Sequence, residues 1–259
     1  MAKLLINCLL FVVTSVFSQE TLRVSYEETF TFTNNRQITF KTDLFANYVM
    51  SHYVKTIDDK QKANLNNPIV SEGDNRIIAP KIVNSGNSST LIIDRGKQTM
   101  RQNLLHEGKP VILDDTTVKL DWQLLNEVKT INNFKCNKAV VNFRGRTFIA
   151  WYTTEIPISA GPWKLHGLPG LILEAADVDN LYTWYATDIL YPVEEQIVLT
   201  DFDYSKYNLI ILRAYIESKA EDRKSREKLM MSKMPKEHRI ESSTIERKGL
   251  ELIYEWETN

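Results

Sequence analysis

The chain has 259 residues, of which 43% are hydrophobic, and its 32 Lys and Arg are balanced by 33 Asp and Glu. This near-neutral balance gives no electrostatic reason to expect a nucleic acid or an anionic surface as a partner. The length is sufficient for one large domain with a substantial core, or for two small ones.

The N-terminus has the pattern of a secretory signal peptide. Lys3 precedes the apolar run Leu4–Phe17, and the small side chain of Ser18 comes directly before Gln19. The run is shorter than the about 20 residues that a transmembrane helix needs. It therefore predicts a signal peptide at residues 1–18 and a single exported domain at 19–259 with no transmembrane segment. We expect this domain in the periplasm or at the outer membrane, with release outside the cell as a further option.

The exported part opens with an alternation that is typical of half-buried strands. Leu22, Val24 and Tyr26 share one face, and Asn34–Asn35 predicts a turn into a returning strand. Leu44–Val54 alternates over its whole length, which predicts one further strand. Each of these segments predicts a sheet with one buried face.

A polar stretch and a series of short strands follow. Residues 55–89 lack periodicity, which predicts a mobile or functional insertion. Arg144-Gly145-Arg146 predicts a tight hairpin turn, because Gly supplies the positive φ that such turns require. The predicted strands are Thr90–Ile93, Thr99–Leu104, Pro110–Leu113, Lys135–Phe143, Thr147–Thr154, Leu171–Ala176 and Leu181–Thr187.

The last quarter of the chain changes character. Residues 204–234 contain neither Gly nor Pro and predict a charged helical segment, with Ser205 as its N-cap and Leu209 on its apolar face. Pro235 would end this helix, and residues 250–256 predict a short edge strand. Many short strands closed by one helix predict an α+β fold, mainly antiparallel β-sheet with a C-terminal helical segment.

An ordered series of motifs occupies residues 122–187. They are Cys136-Asn137-Lys138-Ala139, Asn142-Phe143-Arg144-Gly145-Arg146, Ala150-Trp151-Tyr152-Thr153, Glu155-Ile156-Pro157, Gly161-Pro162-Trp163-Lys164 and Gly167-Leu168-Pro169-Gly170-Leu171-Ile172. In this order they closely resemble the GLPGLI family, exported envelope proteins found mainly in Bacteroidota whose function is unknown. Leu165 departs mildly from the family, which tends to place an aromatic residue there. The resemblance implies a fold family and an envelope location, but no catalytic residues.

The last motif has a physical interpretation of its own. Pro169 and Gly170 stand at the two central positions of a predicted type II turn, in which Gly170 takes a positive φ. The neighbouring prolines and glycines predict a rigid corner rimmed by the rings of Trp151, Tyr152, Trp163, Trp184 and Tyr185. One reading is a corner that only lets the strands reverse.

The other reading is a groove for an extended peptide or a glycan. Its candidate ligand-binding residues are Arg144, Arg146, Trp151, Trp163 and His166, because stacking on Trp and paired contacts from Arg suit such ligands.

Catalytic and metal chemistry remain as alternatives. A hydrolase would require Cys136 or His166 to meet a partner through the fold, whereas a buried Cys136 would act as a small hydrophobe. Met230, Met231, Met234 and His238 could bind Cu(I), or the methionines could fill a gap on a helix. The sequence favours a non-catalytic binding or assembly module without cofactor or metal, whose partner is an envelope protein, a peptide or a glycan.

Overall fold

The computed structural model describes residues 20–32, 35–56, 88–116, 118–194, 197–233, 247 and 249–257. The described strands are β1 Leu22–Thr31, β2 Gln37–Ala46, β3 Met50–Thr56, β4 Ser88–Asp94, β5 Thr99–His106, β6 Lys109–Thr116, β7 Gln123–Ile131, β8 Phe134–Phe143, β9 Arg146–Thr153, β10 Leu171–Asp177, β11 Tyr182–Leu190 and β12 Asn208–Ile211. A 3-10 turn spans Tyr204–Lys206, and helix α1 spans Leu212–Lys233. The predicted mainly antiparallel sheet with a C-terminal helix is confirmed in outline.

All of these strands form one sheet, in the order β12-β6-β5-β4-β3-β2-β1-β11-β10-β9-β8-β7. Neighbouring strands are antiparallel, except that β12 runs parallel to β6. The predicted alternation of β1 is confirmed, since Leu22, Val24 and Tyr26 are fully buried. The Arg144-Gly145 turn is also confirmed: both residues have positive φ, 46° and 82°, as a two-residue hairpin turn requires.

The sheet curls strongly. Asp115 lies in β6 and Arg144 follows β8, and eight strands separate β6 from β8 in the sheet order. In a flat sheet, spacings of about 4.8 Å per strand would hold them about 40 Å apart. Instead, the Arg144 guanidinium donates to both carboxylate oxygens of Asp115, at 2.8 and 2.9 Å. The two sides of the sheet therefore meet at this end.

The concave side of the curled sheet is filled by residues 154–170, which we call the plug. Ile156, Ile158, Leu165 and Leu168 of the plug are at most 2% exposed and belong to the main hydrophobic core. Backbone bonds tie the plug to the start of β10, where Ile172 N donates to the Ala160 carbonyl at 3.0 Å. Most of the motif series therefore builds the interior.

The prediction of one strand over Leu44–Val54 is wrong. β2 ends at Ala46 and β3 begins at Met50, and the two strands form a hairpin. The Asn47 side chain accepts hydrogen bonds from the backbone N–H groups of Val49 and Met50, at 2.9 and 2.8 Å. This Asx turn reverses the chain inside a run whose apolar alternation continues across it.

The predicted start of the C-terminal helix is also wrong. Asp203 caps the 3-10 turn by accepting from Ser205 N, Leu209 lies in strand β12, and helix α1 begins only at Leu212. Pairing with β6 outweighs the local helical spacing of the apolar residues. The described part of the helix ends at Lys233, so Pro235 lies outside the described residues.

Residues 250–256 are not an edge strand. They form turns against the β8–β9 hairpin, where Leu252 N and Ile253 N donate to the Arg144 carbonyl at 2.8 and 3.1 Å. The predicted signal peptide and most of the predicted insertion, residues 57–87, lie outside the described residues. None of the described helices has the length and apolar character needed to cross a membrane.

Candidate functional site

Close packing of the backbone requires a glycine at two positions of the plug. Gly170 does not have a positive φ, so the predicted type II turn is wrong. The positive φ values of the plug belong to Trp163, at 51°, and to Gly167, at 92°. A Cβ on Gly170 would lie 1.9 Å from the carbonyl oxygen of Thr153. At Gly161 it would lie 2.7 Å from the carbonyl oxygen of Leu165. The backbone approaches so closely at both positions that no side chain fits.

The predicted rim of rings divides into an inner and an outer set. Trp163 stacks on the fully buried Trp184, with ring centroids 6.1 Å apart and planes 5° apart. Tyr152 is also buried. Trp151 and Tyr185 point to the outer face of the sheet, where Trp151 is partly buried and Tyr185 is 44% exposed. Tyr185 is therefore the most accessible of the five rings, and Trp151 and Trp163 are both partly accessible.

Arg144 lies in a buried ion-pair cluster. Besides Asp115, its guanidinium contacts Glu251 and Glu255 of the C-terminal segment, and Lys164 of the plug bonds to Asp115 and Glu251 at 2.9 and 2.7 Å. Burial alone would raise the pKa of Asp115, but its bonds from Arg144 and Lys164 lower that pKa below its usual value. The cluster joins strand β6, the β8–β9 turn, the plug and the C-terminal segment.

Arg146 and His166 also form their hydrogen bonds with other groups of the protein. Arg146 donates to the buried Asp177 at 2.9 Å and to the Gly249 carbonyl at 2.8 Å. The His166 Nδ1 atom lies 2.8 Å from the Lys164 carbonyl oxygen, and burial lowers the pKa of its ring. The structure therefore brings Arg144 and Arg146 into contact with the C-terminal segment. Trp151 lies on the other face of β9 from Arg146, on the outer side of the sheet.

Cys136 is fully buried, and its thiol donates to the Phe134 carbonyl at 3.6 Å. Burial raises the pKa of this thiol to about 11. A buried neutral thiol is a poor nucleophile, and within the described residues no hydrogen bond joins Cys136 to His166. Cys136 therefore lacks both the thiolate character and the contact with His166 that the hydrolase hypothesis requires.

The copper hypothesis falls mostly outside the described residues, because Met234 and His238 are not among them. Met230, at the described end of the helix, is 59% exposed. In the described parts of the chain, no group of three or more His, Cys, Asp or Glu side chains could hold a metal ion.

The outer face of β8–β11 carries a continuous cross-strand row, which we call the outer row: Lys138, Trp151, Glu174 and Tyr185 on successive strands. Lys129 bridges it from β7, with its ammonium 2.7 Å from both Glu174 oxygens and 4.3 Å from the centroid of the Trp151 ring. The row therefore alternates charged and aromatic groups.

The neighbouring row on the same face has short side chains. It consists of Val140, Ile149, Ala176 and Thr183. Because these side chains are small or β-branched, they extend less far from the sheet than the rings of the outer row. The sequence predicted all five rings on one rim and did not separate Trp151 and Tyr185 from the others, although alternation along β9 and β11 could have done so. The register that adds Lys129 and Glu174 carried no signal in the sequence.

The comparisons with known proteins agree with the position of the motif series. Residues 142–174 match the family described as protein of unknown function (Porph_ging). No curated protein matches the chain. The fold of PNGF-II, in one of its crystal forms, is similar with a TM-score of 0.50 and 16% identity over 77% of this chain. The chain spans only about a third of PNGF-II, since the match covers 33% of that protein.

Two smaller proteins are more distant. The LolA superfamily protein NE2245 from Nitrosomonas europaea has 8% identity and a TM-score of 0.28, with 67% of this chain and 86% of that chain covered. A DUF1329 family protein from Desulfovibrio piger has 8% identity and a TM-score of 0.30, with 70% and 89% covered.

Proposed function

We propose that this chain is an exported, non-catalytic binding module of the GLPGLI type and that its outer row binds an envelope glycan. The family match at residues 142–174 coincides with the centre of the motif series on which the GLPGLI resemblance rests. The signal-like N-terminus supports an envelope location, in the periplasm or at the outer membrane.

The observation that carries the proposal is the geometry of Trp151 and Tyr185. They stand in one row with strand β10 between them, so about 10 Å separates their strands. Glu174 lies between the two rings, and Lys129 is held over it. The exposed Tyr185 ring offers an apolar face to the C–H face of a sugar. The Trp151 ring has the ammonium groups of Lys129 and Lys138 over it, at 4.3 and 5.8 Å, and so holds these donors in the row. The carboxylate and ammonium groups bond to the hydroxyls of the sugar.

The strands that carry the row favour a glycan over an extended peptide. β9, β10 and β11 each have a neighbour on both sides, so their backbone groups are engaged within the sheet. A peptide cannot add to them as a further strand, which is the common way in which a sheet binds extended peptides. Recognition here depends on rings and charged side chains alone.

The proposal predicts that Tyr185→Ala weakens glycan binding by about tenfold or more, because a lost aromatic contact of about 1.5 kcal/mol corresponds to a factor of ten. Insoluble peptidoglycan sacculi and purified O-polysaccharide are the probes, and the measurement is the protein that pellets or is retained with each. Trp151→Ala should have the same effect.

Tyr48→Ala is the matched control, because Tyr48 is an equally exposed tyrosine, at 50%, in the β2–β3 turn. It should bind as the unaltered chain does. Equal binding by all variants, or binding of neither glycan, would overturn the proposal. Retention of a synthetic peptide, with no retention of the glycans, would show that the protein binds peptides and not glycans.

A further inference from the structure

A cavity of about 230 Å³ lies between helix α1 and the C-terminal segment, away from the outer row. Lys219 and Arg223 line it from the helix, and Arg247, Glu251 and Tyr254 line it from the C-terminal side. Three cationic side chains and one carboxylate thus surround a space that is large enough for a small ligand group.

Two of these charges are already matched inside the protein. Glu251 accepts from Arg144 and from Lys164. Arg247 donates to both carboxylate oxygens of Glu257, at 2.7 Å each. Glu251 is therefore already paired with two cations, and Arg247 is already paired with a carboxylate.

Lys219 and Arg223 are the two cavity cations that have no carboxylate partner among the described residues. The ion pairs on the described helix join Arg213 to Glu217 and Arg226 to Asp222, and among described residues no carboxylate lies within ion-pair distance of Lys219 or Arg223. The two cations are four residues apart and so lie on one face of the helix. Like charges at this spacing destabilise a helix, and a bound anion would remove that cost.

The far wall of the cavity favours an anion as well. Two guanidinium groups lie near the Tyr254 ring, that of Arg144 at 5.2 Å and that of Arg247 at 4.9 Å from its centroid, and Trp256 stacks on the ring at 4.8 Å. Burial raises the pKa of Tyr254, so its phenol stays protonated and can donate a hydrogen bond. No described residue accepts from this hydroxyl.

From this arrangement we infer a second binding site, specific for a phosphate group, in the cavity between helix α1 and the C-terminal segment. Two cations that have no carboxylate partner among the described residues match the charge of a dianion better than the single charge of a carboxylate. Guanidinium donors fit the tetrahedral oxygens of phosphate in pairs, and the ammonium group adds a point charge. The phosphate is either free or carried as a monoester on a larger molecule.

The test measures binding of inorganic phosphate and of glycerol 1-phosphate to the full chain by calorimetry and by the rise in unfolding temperature, with acetate and chloride at equal ionic strength as reference anions. Binding of either phosphate compound above the reference anions is expected, and a monoester that binds alone would indicate a larger phosphorylated ligand. The double variant Lys219→Gln/Arg223→Gln should lose about tenfold or more in affinity, because hydrogen bonds to charged groups contribute about 1.5–3 kcal/mol each.

Lys224→Gln/Arg226→Gln is the control, since it removes the same two charges from the same helix outside the cavity lining. It should keep the phosphate affinity of the unaltered chain. The inference is overturned if neither phosphate compound binds better than acetate, or if both double variants lose affinity equally. All substituted side chains are exposed, so circular dichroism should show the same fold in each variant.

Discussion

Gly161 and Gly170 show, at the scale of single residues, how close packing selects a residue type in the plug. The sequence predicted that Gly170 is needed for a positive φ, whereas the structure requires it because Thr153 leaves no room for a Cβ. The two reasons are indistinguishable in a sequence, since both leave only a glycine. A contact between the plug and the end of β9 becomes visible only when the chain is folded.

The residue-scale prediction concerns Gly170→Ala. We expect a loss of about 2–3 kcal/mol in the free energy of unfolding, because a Cβ at 1.9 Å from the Thr153 carbonyl oxygen forces the backbone apart. Urea denaturation measures it.

Gly108→Ala is the comparison, since Gly108 has a positive φ of 77° but nothing within 4 Å of its added Cβ. It should cost about 1 kcal/mol. A loss in Gly170→Ala no larger than in Gly108→Ala would show that the plug tolerates the extra methyl group.

Among the elements, the strands were predicted well and their connections less so. Alternation located β1, because a half-buried strand repeats every two residues. Short apolar runs between turn residues located β4, β5, β6, β8, β9, β10 and β11. Alternation failed at Asn47, where a side-chain turn interrupts the pattern, and helical spacing failed at Leu209, where pairing with a distant strand decides the conformation. For the same reason the register that assembles the outer row, and the ion pairs of Arg144, could not be predicted.

The element-scale prediction concerns the ion-pair cluster that holds the C-terminal segment. Because the pKa of Asp115 is lowered in the folded chain, its contribution to stability is present above the unfolded pKa of about 3.9. It is lost as the pH falls through the lower folded value. The free energy of unfolding of the unaltered chain should therefore decrease steeply as the pH falls below about 4.

Asp115→Asn should flatten this acid limb and lower the stability at neutral pH by about 3–5 kcal/mol, because Arg144 and Lys164 lose a buried partner. Asp121→Asn removes a carboxylate that is 86% exposed and should change neither quantity measurably. Parallel acid limbs in Asp115→Asn and the unaltered chain would contradict this account of the cluster.

At the scale of the whole molecule, the two faces of the curled sheet have different roles along β9–β11, where the inner side chains are buried and the outer ones are partly exposed. The plug occupies the concave side, so the segment with the clearest sequence signal serves the core, while the convex side carries the outer row. The C-terminal segment closes the end of the curl through Arg144 and forms one wall of the cavity that we propose as a phosphate site. The proposed binding surfaces therefore both lie outside the core that the motif series builds.

The central claim is that ligands bind to the outer row and leave the plug unchanged. The five Trp residues each give one indole N–H resonance, which can be assigned by single Trp→Phe variants and followed by NMR during titration with muramidase-solubilised peptidoglycan or O-polysaccharide. The account predicts that the Trp151 resonance shifts with saturation while those of Trp163 and Trp184 stay in place. A shift of the two inner rings with an unchanged Trp151 would contradict it.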